Sequence, residues 1–173
     1  MKRSIGVALV IGLAAVVTSV ATPAGADGSH AQVLVISIPI APGNQPFLAV
    51  GPIHGGGIDT PRSGTCSGTA TCGVDVFSLT RGSQKGSTFT VDHAGKSTSH
   101  FDRPSCTYRV REEGTWEITG GTRALAQANG RGHYTVAGDL RFALTGGVCV
   151  PPGPNTLPIS GGAFVVATGQ TSV

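Results

Sequence analysis

The strongest constraint in this chain is a two-residue rhythm. Tyr108 and Val110 alternate with Arg109 and Arg111, and Trp116 and Ile118 with Thr115, Glu117 and Thr119. Tyr134 and Val136 alternate with His133 and Thr135; Leu140, Phe142 and Leu144 with Arg141, Ala143 and Thr145. Phe89 and Val91 alternate with Thr88, Thr90 and Asp92, and Phe164, Val166 and Thr168 follow near the C-terminus. Successive side chains of a strand point to opposite faces, so each run presents one apolar and one polar face. That is the signature of an antiparallel sheet buried on one side.

The rhythm is cut into short pieces by turn residues. The chain has 27 glycines and 11 prolines, and no helix-period stretch of useful length. Val74–Thr80 is a further strand candidate. Val33–Ile40 is nearly all apolar and reads as a first strand buried on both faces. Residues 27–32 and 41–73 read largely as loop, with Pro-Gly-Asn-Gln-Pro, then Gly55-Gly56-Gly57, then a small cysteine loop. Thr122–Gly130 breaks the alternation. Arg123–Ala128 are helix formers, too few for a stable helix, so one helical turn is expected, capped by Asn129-Gly130 in left-handed conformation. About eight strands with regular turn signals give an all-β domain, a barrel or a β-sandwich. A barrel has the advantage of leaving no strand edge exposed.

The N-terminus has a different character. Lys2 and Arg3 precede an apolar run over residues 5–20, and Pro23 and Ala24-Gly25-Ala26 come before polar Asp27. This is the layout of a secretory signal peptide with cleavage after Ala26. The apolar run is shorter than the ~20 residues of a spanning helix. The expected mature protein is thus residues 27–173, one secreted, extracellular domain without a membrane span. Its oligomeric state is not readable from the sequence. The twelve Lys and Arg fall to ten without Lys2 and Arg3, against nine Asp and Glu, a net charge near +1. The arginines are dispersed among acids, so the balance gives no argument for nucleic acid.

Export also decides how the cysteines are read. Cys66, Cys72, Cys106 and Cys149 are an even set in an oxidising route, which implies two disulfides. Four cysteines allow three pairings. The short loop from Cys66 to Cys72 can close on itself, which favours that pair and leaves Cys106 with Cys149. A zinc site is the rival, but no C-x-x-C pair is present.

Residues 101–142 carry a further pattern. Gly114-Thr115-Trp116 opens a strand, Gly120-Gly121-Thr122 follows, and Ala126, Ala128, Gly130 and Gly132 lead into the next strand. This resembles secreted actinobacterial proteins of the allene-oxide-cyclase-like barrel group, which are similar in fold to plant dirigent proteins. Their pattern is a Gly-Thr-aromatic strand, then Gly-Gly-Thr-Gly-Arg-Phe-Ala-Gly-Ala-Thr-Gly-x-Gly. Here Arg123 and Gln127 stand where that pattern has glycine, and a positive φ at either would strain it. The resemblance implies a single eight-stranded antiparallel barrel whose interior is filled by side chains or holds one small ligand. It also implies chemistry on hydrophobic intermediates without a cofactor, although activity does not travel with a fold.

No motif assigns catalysis directly. His30, His54, His93, His100 and His133 lack metal-ligand spacing, though His93 and His100 could share a hairpin and approach His133. Glu112 and Glu113 are adjacent and must face opposite ways. No Gly-x-Ser-x-Gly elbow occurs, and Gly55-Gly56-Gly57 lacks the lysine of a phosphate loop. Asp59, Asp75, Asp102 and Asp139 are scattered. No catalytic, metal or cofactor-binding residue is assigned.

Tyr108, Trp116, Tyr134 and Phe142 are the expected barrel-interior lining. The first functional expectation is a secreted barrel that binds a small hydrophobic molecule or serves at the cell envelope. The second is a cofactor-free isomerase- or cyclase-like enzyme, with Glu117, Asp75 or His133 aimed into an apolar cavity. The third is an inhibitor or interaction module presenting the Cys66–Cys72 loop.

Overall fold

In the computed structural model, residues 28–40, 43–63, 70–150, 152–153 and 156–173 are described. The signal-peptide segment 1–26 and the Cys66–Cys72 pairing, through Cys66, fall outside them. None of the described cysteines is free. No helix among the described residues is long and apolar enough to cross a membrane.

Eight strands close into an antiparallel barrel, not a sandwich. They are β1 (His30–Ile38), β2 (Gln45–Val50), β3 (Gly55–Ser63), β4 (Ala70–Leu79), β5 (Thr88–Asp102), β6 (Thr107–Gly121), β7 (Asn129–Arg141) and β10 (Ser160–Ser172). β1 to β7 pair in chain order as a meander, and β10 closes the ring between β7 and β1. Two short strands, β8 (Leu144–Thr145) and β9 (Val148–Cys149), form a hairpin outside the wall. β9 carries Cys149, which is bonded to Cys106 at the tip of the β5–β6 hairpin.

Several expectations are corrected. Within the stretches 27–32 and 41–73 expected to be largely loop, β1 begins at His30, β2 and β3 occupy most of 45–63, and β4 begins at Ala70; residues 64–69 lie outside the described residues. Its glycines and prolines, which read as breakers, are tolerated because Gly57 lies against the Phe47 ring, with no room for a side chain between them. β1 is buried on one face only: Gln32, Leu34 and Ile36 point inward, while Val33 shares an exposed outer face with Leu48, Val50 and Val166. The strand expected through Leu144 ends at Arg141, where the Phe142 N–H turns to the Cys106 carbonyl. The helical turn is a single 3-10 turn, Arg123–Leu125. Its left-handed residue is Arg123, at φ 54°, whereas Asn129 and Gly130 begin β7. Of the two positions at which a positive φ would be strained, Arg123 adopts one and Gln127 does not.

One end of the barrel is packed solid. Phe77 and Phe89 stack with centroids 4.7 Å apart, and Phe47 meets both edge-on. Beneath them Ile53, Leu79 and Leu125 are buried. Gln32 closes this end: its amide donates to the Ile53 carbonyl at 3.0 Å, and its oxygen accepts from the Ile53 N–H and the Thr171 hydroxyl. A fully buried amide is tolerable because its partners are all present. The other half of the barrel is not filled, and it is there that the polar interior residues lie.

Candidate functional site

Above the phenylalanine layer the interior holds a cavity of about 240 Å³. The wall divides by strand. β1 and β10 contribute Leu34, Ile36, Ile38, Val165 and Ala167, an apolar half. β3 to β7 contribute Asp59, Asp75, His93, Glu112 and Tyr134, a polar arc with one residue from each consecutive strand. Phe77 forms the floor, and Trp116 and Val136 fill the wall between.

The arc follows from register. Asp75 lies opposite Val91, His93 opposite Trp116, and Tyr134 opposite Gly114. Inward residues on neighbouring strands are diagonal neighbours, within reach of polar side chains. Glycines make the space. A Cβ at Gly114 or Gly95 would sit 2.5 Å from the Tyr134 ring or hydroxyl, and one at Gly73 would sit 2.6 Å from His93 Nε2. Large interior side chains are thus set against missing ones, as a narrow barrel requires.

Four of the five groups form a chain. His93 Nε2 lies 3.4 Å from Asp75 Oδ2, and His93 Nδ1 lies 3.4 Å from the Tyr134 hydroxyl. That hydroxyl donates to Glu112 Oε1 at 2.5 Å. Since Tyr134 has one proton and gives it to Glu112, its oxygen accepts from His93 Nδ1–H. His93 Nε2 then faces the Asp75 carboxyl. Burial raises the Asp75 pKa, and the positive charge of His93 works against that. Burial, and then the bond to Glu112, push the Tyr134 phenol well above its usual range, so it stays protonated.

Asp59 is the exception in the arc. It is only 2% exposed, and its Oδ1 has no hydrogen-bond partner among the described residues. Burial, reinforced by the nearby Asp75 charge, raises its pKa to about 7, and a hydrogen bond from the Thr60 backbone opposes the shift. Buried polar atoms are almost always satisfied. A carboxyl left incomplete at a cavity wall points to a function outside folding.

The expected lining residues separate. Trp116 and Tyr134 face the cavity. Phe142 does not: it is buried beyond the cavity, edge-on to Phe101. Tyr108 is half-buried between Phe101 and Leu140 on the β5–β6–β7 extension. Among the acid–base candidates Asp75 lines the cavity, while Glu117 and His133 are exposed on the outer face. His100 is also exposed, paired in register with Arg109, so it does not join His93. Among the described residues no group of three His, Cys, Asp or Glu could hold a metal ion.

Sequence reasoning missed Asp59, His93 as an interior group, and Glu112. For the last two a signal existed: His93 shares parity with Phe89 and Val91, and Glu112 with Trp116 and Ile118. Asp59 had none, because its strand alternates Gly57, Asp59 and Pro61 and shows no apolar face. Set against known proteins, the chain matches no family model, no curated sequence and no solved structure.

Proposed function

We propose that this chain is an exported barrel that holds one small, mainly apolar molecule in its interior, with Asp59 as the polar anchor. The observation that carries the reading is the half-satisfied Asp59 carboxyl, 2% exposed and with no partner for Oδ1 among the described residues, on the wall of a cavity of about 240 Å³. The apolar half of the wall supplies the affinity, since apolar surface removed from water contributes about 25 cal/mol per Å². The few fixed polar groups orient the ligand. Support for export comes from the signal-like layout of residues 1–26 and from the Cys106–Cys149 disulfide, a bond typical of oxidising compartments. The barrel is also the fold implied by the resemblance of residues 101–142 to allene-oxide-cyclase-like proteins.

The test uses Trp116, the only tryptophan in the chain and a cavity residue. Titration with 2-phenylethanol should change its fluorescence saturably, and Val165→Phe, which fills the apolar half, should abolish that change at unaltered secondary structure. No saturable response in the native barrel contradicts the reading.

A second reading is favoured by the Asp59 pKa of about 7. A carboxyl half-ionised near neutral pH is suited to both taking and returning a proton. The site would then be isomerase- or cyclase-like. Asp59 takes a proton from an acidic C–H bond, the electron pair shifts into a new double bond, and the same proton returns two carbons along. Conversion of cyclohex-3-en-1-one to its conjugated isomer tests this. Native protein should accelerate it and Asp59→Asn should not; equal rates in the two contradict it.

A further inference from the structure

The hydrogen-bond inventory of the cavity wall bears on the kind of polar group a ligand would carry. The Trp116 indole N–H is taken by the His133 and Thr168 carbonyls at 3.2 and 3.3 Å. The Tyr134 hydroxyl proton is taken by Glu112. Both His93 nitrogens face polar partners, the Tyr134 oxygen and the Asp75 carboxyl. Among the described lining residues, the Gln45 amide is the one donor with no such commitment. The acceptors are in surplus. Asp59, Asp75 and Glu112 bring three carboxyl groups, and Asp59 Oδ1 has no donor at all among the described residues.

Charge points the same way. Three carboxyl groups and one histidine line the cavity, with neither Lys nor Arg among its lining residues. The opposite half of the wall is Leu34, Ile36, Ile38, Val165 and Ala167. A carboxylate-bearing ligand would place its charge against like charges on a largely apolar wall, which is costly. A neutral hydrocarbon would leave Asp59 unsatisfied. An ammonium group supplies up to three donors and the matching charge.

We propose that the ligand of this cavity is a small amine: an ammonium group held by Asp59, with Asp75 beside it, and an apolar body against the β1–β10 wall. The proposal rests on the cavity being a ligand site at all. Pockets for drug-sized molecules run from roughly 300 to 1,000 Å³, so about 240 Å³ suits one ring with a short amine tail. The charge that acts on Asp59 is Asp75 from β4; His93 from β5, Glu112 from β6 and the phenol of Tyr134 from β7 line the same cavity. None of these supplies Asp59 with a donor.

The experiment compares three probes that share a phenylethyl body by Trp116 fluorescence at pH 8: 2-phenylethylamine, 2-phenylethanol and 3-phenylpropanoate. The amine should bind at least about tenfold tighter than the alcohol, the equivalent of one charge-assisted hydrogen bond. The propanoate should bind weakest. Asp59→Asn should erase the preference of amine over alcohol while alcohol binding persists. Asp75→Asn should reduce the preference without erasing it. If alcohol and amine bind equally, or the propanoate binds best, the amine assignment is overturned and the cavity remains a ligand site. If the amine preference survives in Asp59→Asn, the anchor is wrong. If no probe changes Trp116 fluorescence, the ligand site itself is overturned, and the amine with it.

Discussion

Replacing Asp59 by Asn should stabilise the fold above neutral pH. The folded carboxyl has its pKa raised from 3.8 to about 7, mainly by burial. Between those values the folded chain holds a proton that the unfolded chain has lost. Unfolding therefore releases a proton, and stability falls as pH rises from about 4 through about 7. Above that range the fold bears the full cost of a buried carboxylate whose Oδ1 has no partner among the described residues. At 1.36 kcal/mol per unit, the shift from 3.8 to about 7 amounts to at most about 4 kcal/mol. Asparagine fills the same space and does not ionise, so it removes this term. The assay is urea denaturation of both proteins at pH 5 and pH 8, with the disulfide intact. Wild type should lose several kcal/mol more than Asp59→Asn between the two pH values. In thermal melts the gap at pH 8 should be on the order of 10 °C. Asp75, whose pKa is also raised by burial, leaves the variant a residual slope of the same sign. Parallel pH profiles for wild type and variant would refute the reasoning, because Asp59 would then not be a buried charge.

Other perturbations separate the parts of the structure. Removing the Cys106–Cys149 bond, which closes a loop of 43 residues, by Cys106→Ala with Cys149→Ala should cost about 4 kcal/mol in the chain-entropy description, read by urea denaturation. Gln32→Leu strands the Ile53 N–H and carbonyl and the Thr171 hydroxyl, and should cost at least about 2 kcal/mol; a neutral result would mean that Gln32 does not close the barrel end. Gly169→Ala drives a methyl to 2.6 Å from the Trp116 ring, and should cost about 1–3 kcal/mol with a shifted Trp116 emission. Binding of 2-phenylethylamine should weaken as pH falls below about 7, where Asp59 takes up its proton, and a pH-independent affinity from 5 to 8 would contradict that.

The strands that were legible in the sequence are those with a strict inside–outside contrast. β6 alternates Trp116 and Ile118 with charged and hydroxyl residues, and β7 does the same around Tyr134, so their inner faces could be assigned from parity alone. The same parity places Glu117 with Thr115 and Thr119 on the outside, where the structure has it exposed. β2 and β3 were not legible. A narrow barrel must leave room opposite its large side chains, and it does so with Gly57 against Phe47. The residues that make the packing possible are thus the ones that read as turn. Asp59 lies in that stretch, so the group on which the functional reading depends was hidden by the packing device around it. β5 was underestimated for another reason: beyond Asp92 its Lys96–His100 stretch is exposed on both faces, and a solvated strand carries no rhythm. Tyr108 and Phe142 show where parity stops helping. Both alternate correctly, yet they lie on the extension past the cavity, and height along the barrel axis depends on stagger, which a linear pattern does not encode.

The central claim is that Asp59 is a buried, incomplete carboxyl awaiting a ligand, and its own titration tests this most directly. Carbon-detected NMR of the Asp59 side-chain carboxyl, followed from pH 3 to pH 9, should give a midpoint of about 7 in the free protein. With saturating 2-phenylethylamine the midpoint should fall, since the ammonium group favours the carboxylate. A midpoint in the ordinary carboxylate range near 4, unmoved by the amine, would contradict the account.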